Sequence, residues 1–252
     1  MNRIIGVLNY KGGTGKTTTV INLAAGLALR GSKVLCVDLD SQGSLATYFG
    51  VKHTASLTDL LLGNEEPTAC ISEARKNIDI IPSDRSLLKV EGELWRMGRR
   101  QHSRRVFAEQ MQNLDDDYEY ILVDFSPSAN LLNESGLLYV EEAIIPVSMS
   151  HLALVGTRQV ISTLKAISQI PDHQVQLSTI LPTLFYSRYR NDQAILEMLK
   201  TRFGDKVAEP IRANVRLAES PAHQKTIFEY APRSNGAIDY AKLVERISNY
   251  SL

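Results

Sequence analysis

The run Asn9-Tyr10-Lys11-Gly12-Gly13-Thr14-Gly15-Lys16-Thr17-Thr18 constrains this chain more than any other segment, because of what stands on either side of it. Before it lies Arg3 to Leu8, a short apolar run of strand character, and after it Thr17 to Arg30 carries helical periodicity. A glycine-rich turn between a strand and a helix can aim backbone N–H groups inward with no Cβ in the way. The helix start adds its own unpaired amides and dipole. Such a turn suits phosphate. In this reading Gly12, Gly13, Thr14, Gly15 and Thr18 form the cradle of a nucleotide (ATP or ADP), Lys16 reaches the β- and γ-phosphates, and the Thr17 hydroxyl binds Mg²⁺. An incidental Lys-Thr pair beside a glycine turn is the alternative, and the strand-turn-helix context argues against it.

The remaining sequence repeats that alternation. Lys33 to Val37, Ile78 to Ile81, Tyr120 to Val123, Ala143 to Val147 and Gln176 to Leu181 read as strands, and Thr157 to Ile170 as a helix. The pattern predicts an α/β fold, a doubly wound, mostly parallel sheet with helices on both faces. At 252 residues, with no repeat or linker, the expectation is a single P-loop domain over residues 1–252. Residues 50 to 77 are the least orderly stretch.

Two further segments carry carboxylates at strand ends. In Val37-Asp38-Leu39-Asp40-Ser41-Gln42-Gly43-Ser44 the acids emerge two residues apart, at the edge where open α/β sheets bind ligands. They could also simply cap the following turn. In Tyr120 to Val123 followed by Asp124-Phe125-Ser126-Pro127-Ser128, one aspartate closes an apolar strand, placed to hold a Mg²⁺-bound water.

Composition excludes more than it selects. Apolar residues make up 44% and charged ones 22%, ordinary for a globular chain, and no run approaches the roughly 18 apolar residues of a membrane span. Met1 leads almost directly into the first strand, so no targeting peptide is expected and the cytoplasm is the expected location. Cys36 and Cys70 form no CxxC pair and the five histidines are scattered, so no protein-built transition-metal site is expected. Net charge is zero, so any nucleic-acid binding must come from a local patch. The arginine-rich stretch Trp95 to Arg105 reads equally well as a solvated face or a binding surface.

The segment K-G-G-T-G-K-T-T resembles the deviant Walker A box of the ParA/MinD ATPases, whose first lysine crosses a dimer interface to the partner's nucleotide. By that resemblance Lys11 acts in trans on the transferring phosphoryl group, as an arginine finger does. The Asp38 segment is similar to the family's D-x-D-P-Q-G-N, which implies that Asp40 positions the attacking water and Asp38 supports the metal shell. The Asp124 segment is similar to D-x-P-P-S. Ser41, Ser44 and Ser126 depart from these patterns, which predicts a more mobile loop after Asp40 and leaves the stiffness of the segment after Asp124 open.

Pro182 to Arg188, Asn214 to His223 and Tyr230 to Ala237 resemble segments of the chromosomal ParA (Soj) branch. The resemblance implies that Pro182 contacts the base. It also implies that Arg188 and Arg216 bind double-stranded DNA without sequence preference once ATP has driven a homodimer. A ParB-like centromere-binding protein would stimulate hydrolysis, and the protein would associate with the nucleoid. From Arg158 to Arg233 there are 11 Lys/Arg against 7 Asp/Glu, a local excess hidden by the neutral total. Surface ion pairing is the plainer reading of these arginines, and Ala213 departs from the branch's I-P-R-N-V-R-L segment. Positioning of a non-DNA cargo and a non-hydrolysing nucleotide-binding adaptor stand as alternatives. A membrane partner is not expected, because Ala241 to Leu252 lacks a large apolar face. An iron–sulfur cluster would need cysteines after Cys70, and there are none.

Overall fold

The computed structural model describes residues 2–97, 101–170 and 173–249. Seven strands form one sheet: β1 (Arg3–Val7), β2 (Val34–Leu39), β3 (Ser72–Arg75), β4 (Ile78–Ile81), β5 (Tyr120–Phe125), β6 (Glu142–Ser148) and β7 (Gln176–Thr183). Their spatial order is β3-β4-β2-β5-β1-β6-β7. All pairings are parallel except β3 with β4. The helices are α1 (Lys16–Leu29), α2 (Ser44–Phe49), α3 (Leu57–Leu62), α4 (Leu87–Met97), α5 (Gln101–Met111) and α6 (Leu131–Leu137). They continue with α7 (His151–Ile167), α8 (Arg190–Phe203), α9 (Val215–Glu219), α10 (Ile227–Tyr230) and α11 (Asn235–Asn249).

Alternate residues of each central strand feed two cores, one on each face of the sheet. Leu35, Val37, Ile121 and Val123 face a core shared with α3 to α8, whereas Val34, Cys36, Leu122 and Ile144 face α1, α2, α10 and α11. Burial on both sides is why these strands are apolar throughout, and each fully buried Leu, Ile or Val contributes about 1.5–3 kcal/mol.

Every strand expected from the sequence is present, with ends shifted by up to two residues, and one strand was not expected. β3 is a four-residue edge strand of polar sequence, Ser-Glu-Ala-Arg, inside the stretch read as disorderly. The two-residue turn Lys76-Asn77 folds it back on β4, with Asn77 in the left-handed region at φ 63°. The arginine-rich stretch falls across the end of α4 and the start of α5, with 98–100 outside the described residues. The C-terminal segment corrects a second expectation: α11 does have an apolar face, made by Tyr240, Leu243, Val244 and Ile247, but that face is buried against α1. No helix among the described residues is long and apolar enough to cross a membrane.

Gly26 is what lets α11 approach α1 so closely. A Cβ at Gly26 would lie 2.3 Å from Cγ2 of Val244, a stiff β-branched side chain. Gly26→Val is therefore expected to lower the unfolding free energy by about 1–3 kcal/mol, read as a reduced denaturation midpoint; an unchanged midpoint would show that this helix pair is loosely packed.

Candidate active site

The glycine run joins β1 to α1, and its conformation follows from its glycines. Gly13 and Gly15 take φ of 72° and 88°, where a side chain would be strained. Gly15 stands at the N-cap of α1 and offers no side chain to cap it, so the first turn has no side-chain cap from that position. The loop is braced from behind. Asn9 is fully buried, donates to the Pro146 carbonyl at 2.7 Å and accepts from the Lys11 amide at 3.0 Å. Thr183, at the end of β7, donates to the Thr14 carbonyl at 2.8 Å.

Three acidic residues, Asp38, Asp40 and Asp124, stand at or just past the C-terminal ends of β2 and β5, beside the strand that leads into this loop. The register pairs Val7 with Asp124 on one side of β5 and Asp38 with Asp124 on the other. Asp124 is buried; its Oδ2 accepts from the Thr17 hydroxyl at 2.6 Å, and its Oδ1 is buried with no hydrogen-bond partner among the described residues. An unsatisfied carboxylate oxygen beside a threonine hydroxyl fits a hard divalent cation that takes few protein oxygens and keeps its waters. Asp38 differs. Its two oxygens accept from the backbone amides of Asp40 and Leu45 at 2.9 and 3.0 Å, which shapes the loop carrying Asp40. The Asp40 carboxylate is half-buried and accepts from the Gln42 amide at 3.0 Å.

Electrostatics follow from this crowding. Lys16 is buried, which pulls its ammonium below the ordinary lysine range, while Asp124 and Asp40 oppose the shift. Burial holds Asp124 well above the ordinary carboxylate range, with neighbouring Asp38 adding to it. Burial also pushes Asp38 up to about 7, against its two amide hydrogen bonds.

A family described as an AAA domain matches residues 2–177. The sporulation initiation inhibitor protein Soj of Bacillus subtilis is 34% identical, over 98% of this chain and 99% of its own. The chromosome-partitioning ATPase Soj of Thermus thermophilus is 35% identical, over 97% and 95%. The chain belongs to the Soj/ParA family of partitioning ATPases. Among solved structures, cobyrinic acid a,c-diamide synthase from Mycobacterium smegmatis, with bound ADP and magnesium, has a TM-score of 0.83 at 29% identity, covering 97% of this chain and 93% of that one.

Within the Soj/ParA pattern, polar clamps stand where this chain lacks prolines. The Ser83 hydroxyl donates to the Asp40 carbonyl, and a Cβ on Gly43 would lie 2.6 Å from the Ser83 carbonyl oxygen, so the loop after Asp40 lies tight on Ser83. Ser126 is held by Asn133, whose Nδ2 donates to the Ser126 carbonyl at 3.1 Å and also to that of Ser128. Lys11 lies in the same chain's fold, its Nζ donating to Ser150 Oγ at 2.8 Å at the start of α7. Ser83, Asn133 and Ser150 were missed by motif reading: they arrive from other elements, and none carries a spacing signal. Asn9 and Thr183 lie inside segments the motifs cover, but their bracing roles show only in the fold.

Beside the glycine run lies a cleft of about 230 Å³ lined by Gly13, Gly15, Thr183, Leu184, Arg212 and Asn214 among others; the remaining expected residues, Pro182, Arg188 and Arg216, do not line it. Pro182 is buried one position behind that wall, its carbonyl accepting from the Ile211 amide at 2.8 Å. Arg188 is exposed in the turn before α8. Arg216 is exposed on α9 and donates to Glu219 at 2.9 Å, so the ion-pair reading holds for that residue in the free chain.

The raised carboxylates make stability depend on pH with a definite sign. An acid raised in the native state keeps a proton that the unfolded chain has released, so its contribution is complete below the ordinary carboxylate value of 3.8 and is lost as pH rises through about 7. Nucleotide-free protein should therefore denature more easily at about pH 8 than at about pH 5. Asp38→Asn should make that decline shallower, and an unaltered slope in denaturant titrations would refute the burial account.

Proposed function

We propose that this chain is an ATP-driven partition switch: it binds Mg-ATP, pairs with a second copy, coats double-stranded DNA without sequence preference, and is released when a ParB-like partner stimulates hydrolysis. One observation carries the nucleotide part. Buried Lys16, the Thr17 hydroxyl and the unsatisfied Asp124 oxygen converge on the uncapped start of α1. That convergence suits a triphosphate with its metal. The magnesium and ADP bound by the Mycobacterium smegmatis relative support the same reading. The names of the Soj relatives support the partition role.

In the proposed reaction a water attacks the γ-phosphorus in line and ADP leaves. Asp40 orients the water, Lys16 meets the phosphate oxygens, and Lys11 of the partner copy adds positive charge as the γ-phosphoryl group comes away. Thr17 and Asp124 would hold Mg²⁺, which when bound neutralises phosphate charge, and Asp38 keeps Asp40 in place through the loop. Arg188 and Arg216 meet DNA phosphates; each patch alone binds weakly, and pairing two copies multiplies the affinity. A cytoplasmic, nucleoid-associated location follows from this reading.

Asp40→Ala is expected to bind ATP yet persist as a dimer on DNA, while Lys16→Ala stays monomeric; light scattering and ATP turnover with and without DNA check both. Arg216→Glu should keep dimerisation and reduce the slope of log affinity against log salt by about one or more. Monomers only, in the presence of a slowly cleaved ATP analogue, would overturn the switch reading and leave a simple triphosphatase.

A further inference from the structure

The turn between β7 and α8 places two aromatic rings in water. Tyr186 and Tyr189 are 51% and 58% exposed and stack on one another, centroids 4.9 Å apart with 24° between planes. Their backbone is fixed. The Tyr186 amide donates to the buried Asp192 carboxylate at 2.9 Å, and the Tyr189 amide to the Tyr186 carbonyl at 3.0 Å. Arg188 stands between the two rings in sequence and Arg190 follows them, both exposed and neither ion-paired among the described residues.

A second arm lies alongside. The Phe185 amide donates to the Ile211 carbonyl at 3.2 Å and the Ala213 amide to the Phe185 carbonyl at 3.0 Å. These bonds tie the tyrosine turn to the segment that enters α9 and carries Arg216. The result is a pair of stacked rings, each half exposed with its outer face free, beside Arg188 and Arg190 in the chain and tied to the segment carrying Arg216, whose side chain pairs with Glu219; the excess positive charge selects a polyanion. A duplex meets that charge but leaves the rings little to stack on, because its base faces are already covered by neighbouring bases. A single strand offers both phosphates and uncovered base faces.

We infer that this patch is a single-stranded DNA site, in which Tyr186 and Tyr189 stack on unpaired bases while Arg188, Arg190 and Arg216 meet the backbone; the arginine contribution rests on the DNA-binding reading above. The protein then engages exposed single strands through contacts that a duplex does not use.

The test compares a fluorescein-labelled oligothymidylate with a duplex of equal length, by anisotropy at one fixed salt concentration with Mg-ATP. The Tyr186→Ala/Tyr189→Ala variant should lose about tenfold or more on the single strand and less than about twofold on the duplex. Tyr186→Phe/Tyr189→Phe keeps the stacking surface and should retain single-strand affinity, which also controls for folding of the turn. Arg188→Glu should weaken both ligands. If wild-type protein binds duplex and not oligothymidylate, or the alanine variant loses equally on both, the single-strand inference is overturned and the DNA-binding reading stands. A phenylalanine variant as weak as the alanine one overturns stacking in particular. Wild-type protein that binds neither ligand overturns both readings.

Discussion

The register of β5 against its two neighbours is the constraint from which the site follows. Because Val7 and Asp38 both pair with Asp124, the glycine run leaving β1 and the loop leaving β2 emerge beside the same buried carboxylate. A slip of one residue would turn Asp124 to the other face of the sheet and leave Thr17 without its partner. Sheet burial on both faces fixes that register, since Leu122 belongs to one core and Ile121 and Val123 to the other. The packing energy of the whole α/β layer thus holds one carboxylate in an environment that does not satisfy it. A buried carboxylate with an unused oxygen raises the free energy of the empty protein, and a cation or a proton relieves it.

How much of this was legible in the sequence depends on the range of the signal. The glycine run, the central strands and the three aspartates were readable because each is defined within one short segment, by period and by what precedes and follows it. β3 was not, because a four-residue polar edge strand has no apolar alternation and exists only through its turn with β4. The apolar face of α11 was underestimated because its residues are spread at helical spacing, Tyr240, Leu243, Val244 and Ile247, and only the close approach at Gly26 shows where they go. The clamps at Ser83 and Asn133 were invisible for a related reason. Their value lies in meeting Asp40 and Ser126 across space, and a serine or asparagine in a loop gives no sign of that. Where the family pattern uses proline to stiffen the two loops, this chain uses hydrogen bonds from outside them.

Lys11 illustrates how lightly a switch element can be held. In the single chain its ammonium rests on the Ser150 hydroxyl, a neutral acceptor, at a half-buried position. A hydrogen bond of that kind contributes a net of about 0.5–3 kcal/mol, the upper part of that range belonging to charged donors. On the proposed reading the lysine exchanges this contact for the triphosphate of a partner copy, where several negative oxygens face it in a drier setting. The exchange favours pairing only when the phosphate is there, so nucleotide state and association become linked through the differential affinity of one side chain for two surroundings.

The same logic extends from the phosphates to the exposed patch, through the two walls of the cleft beside the glycine run. Thr183 is hydrogen-bonded to the Thr14 carbonyl and leads directly into the turn that carries Tyr186, Arg188 and Tyr189. On the other wall, Asn214 lines the cleft and caps α9, its Oδ1 accepting from the amide of Arg216 at 2.8 Å. Both arms of the basic patch therefore spring from residues that touch or border the glycine run, and the arms are bonded to each other at Phe185. On the proposed reading a nucleotide settling into the cleft would act on both walls together, and hydrogen-bonded walls would pass small displacements on. On the proposed reading, ATP sets DNA affinity in two ways: by bringing two patches together and by fixing the spacing of the arms within each one.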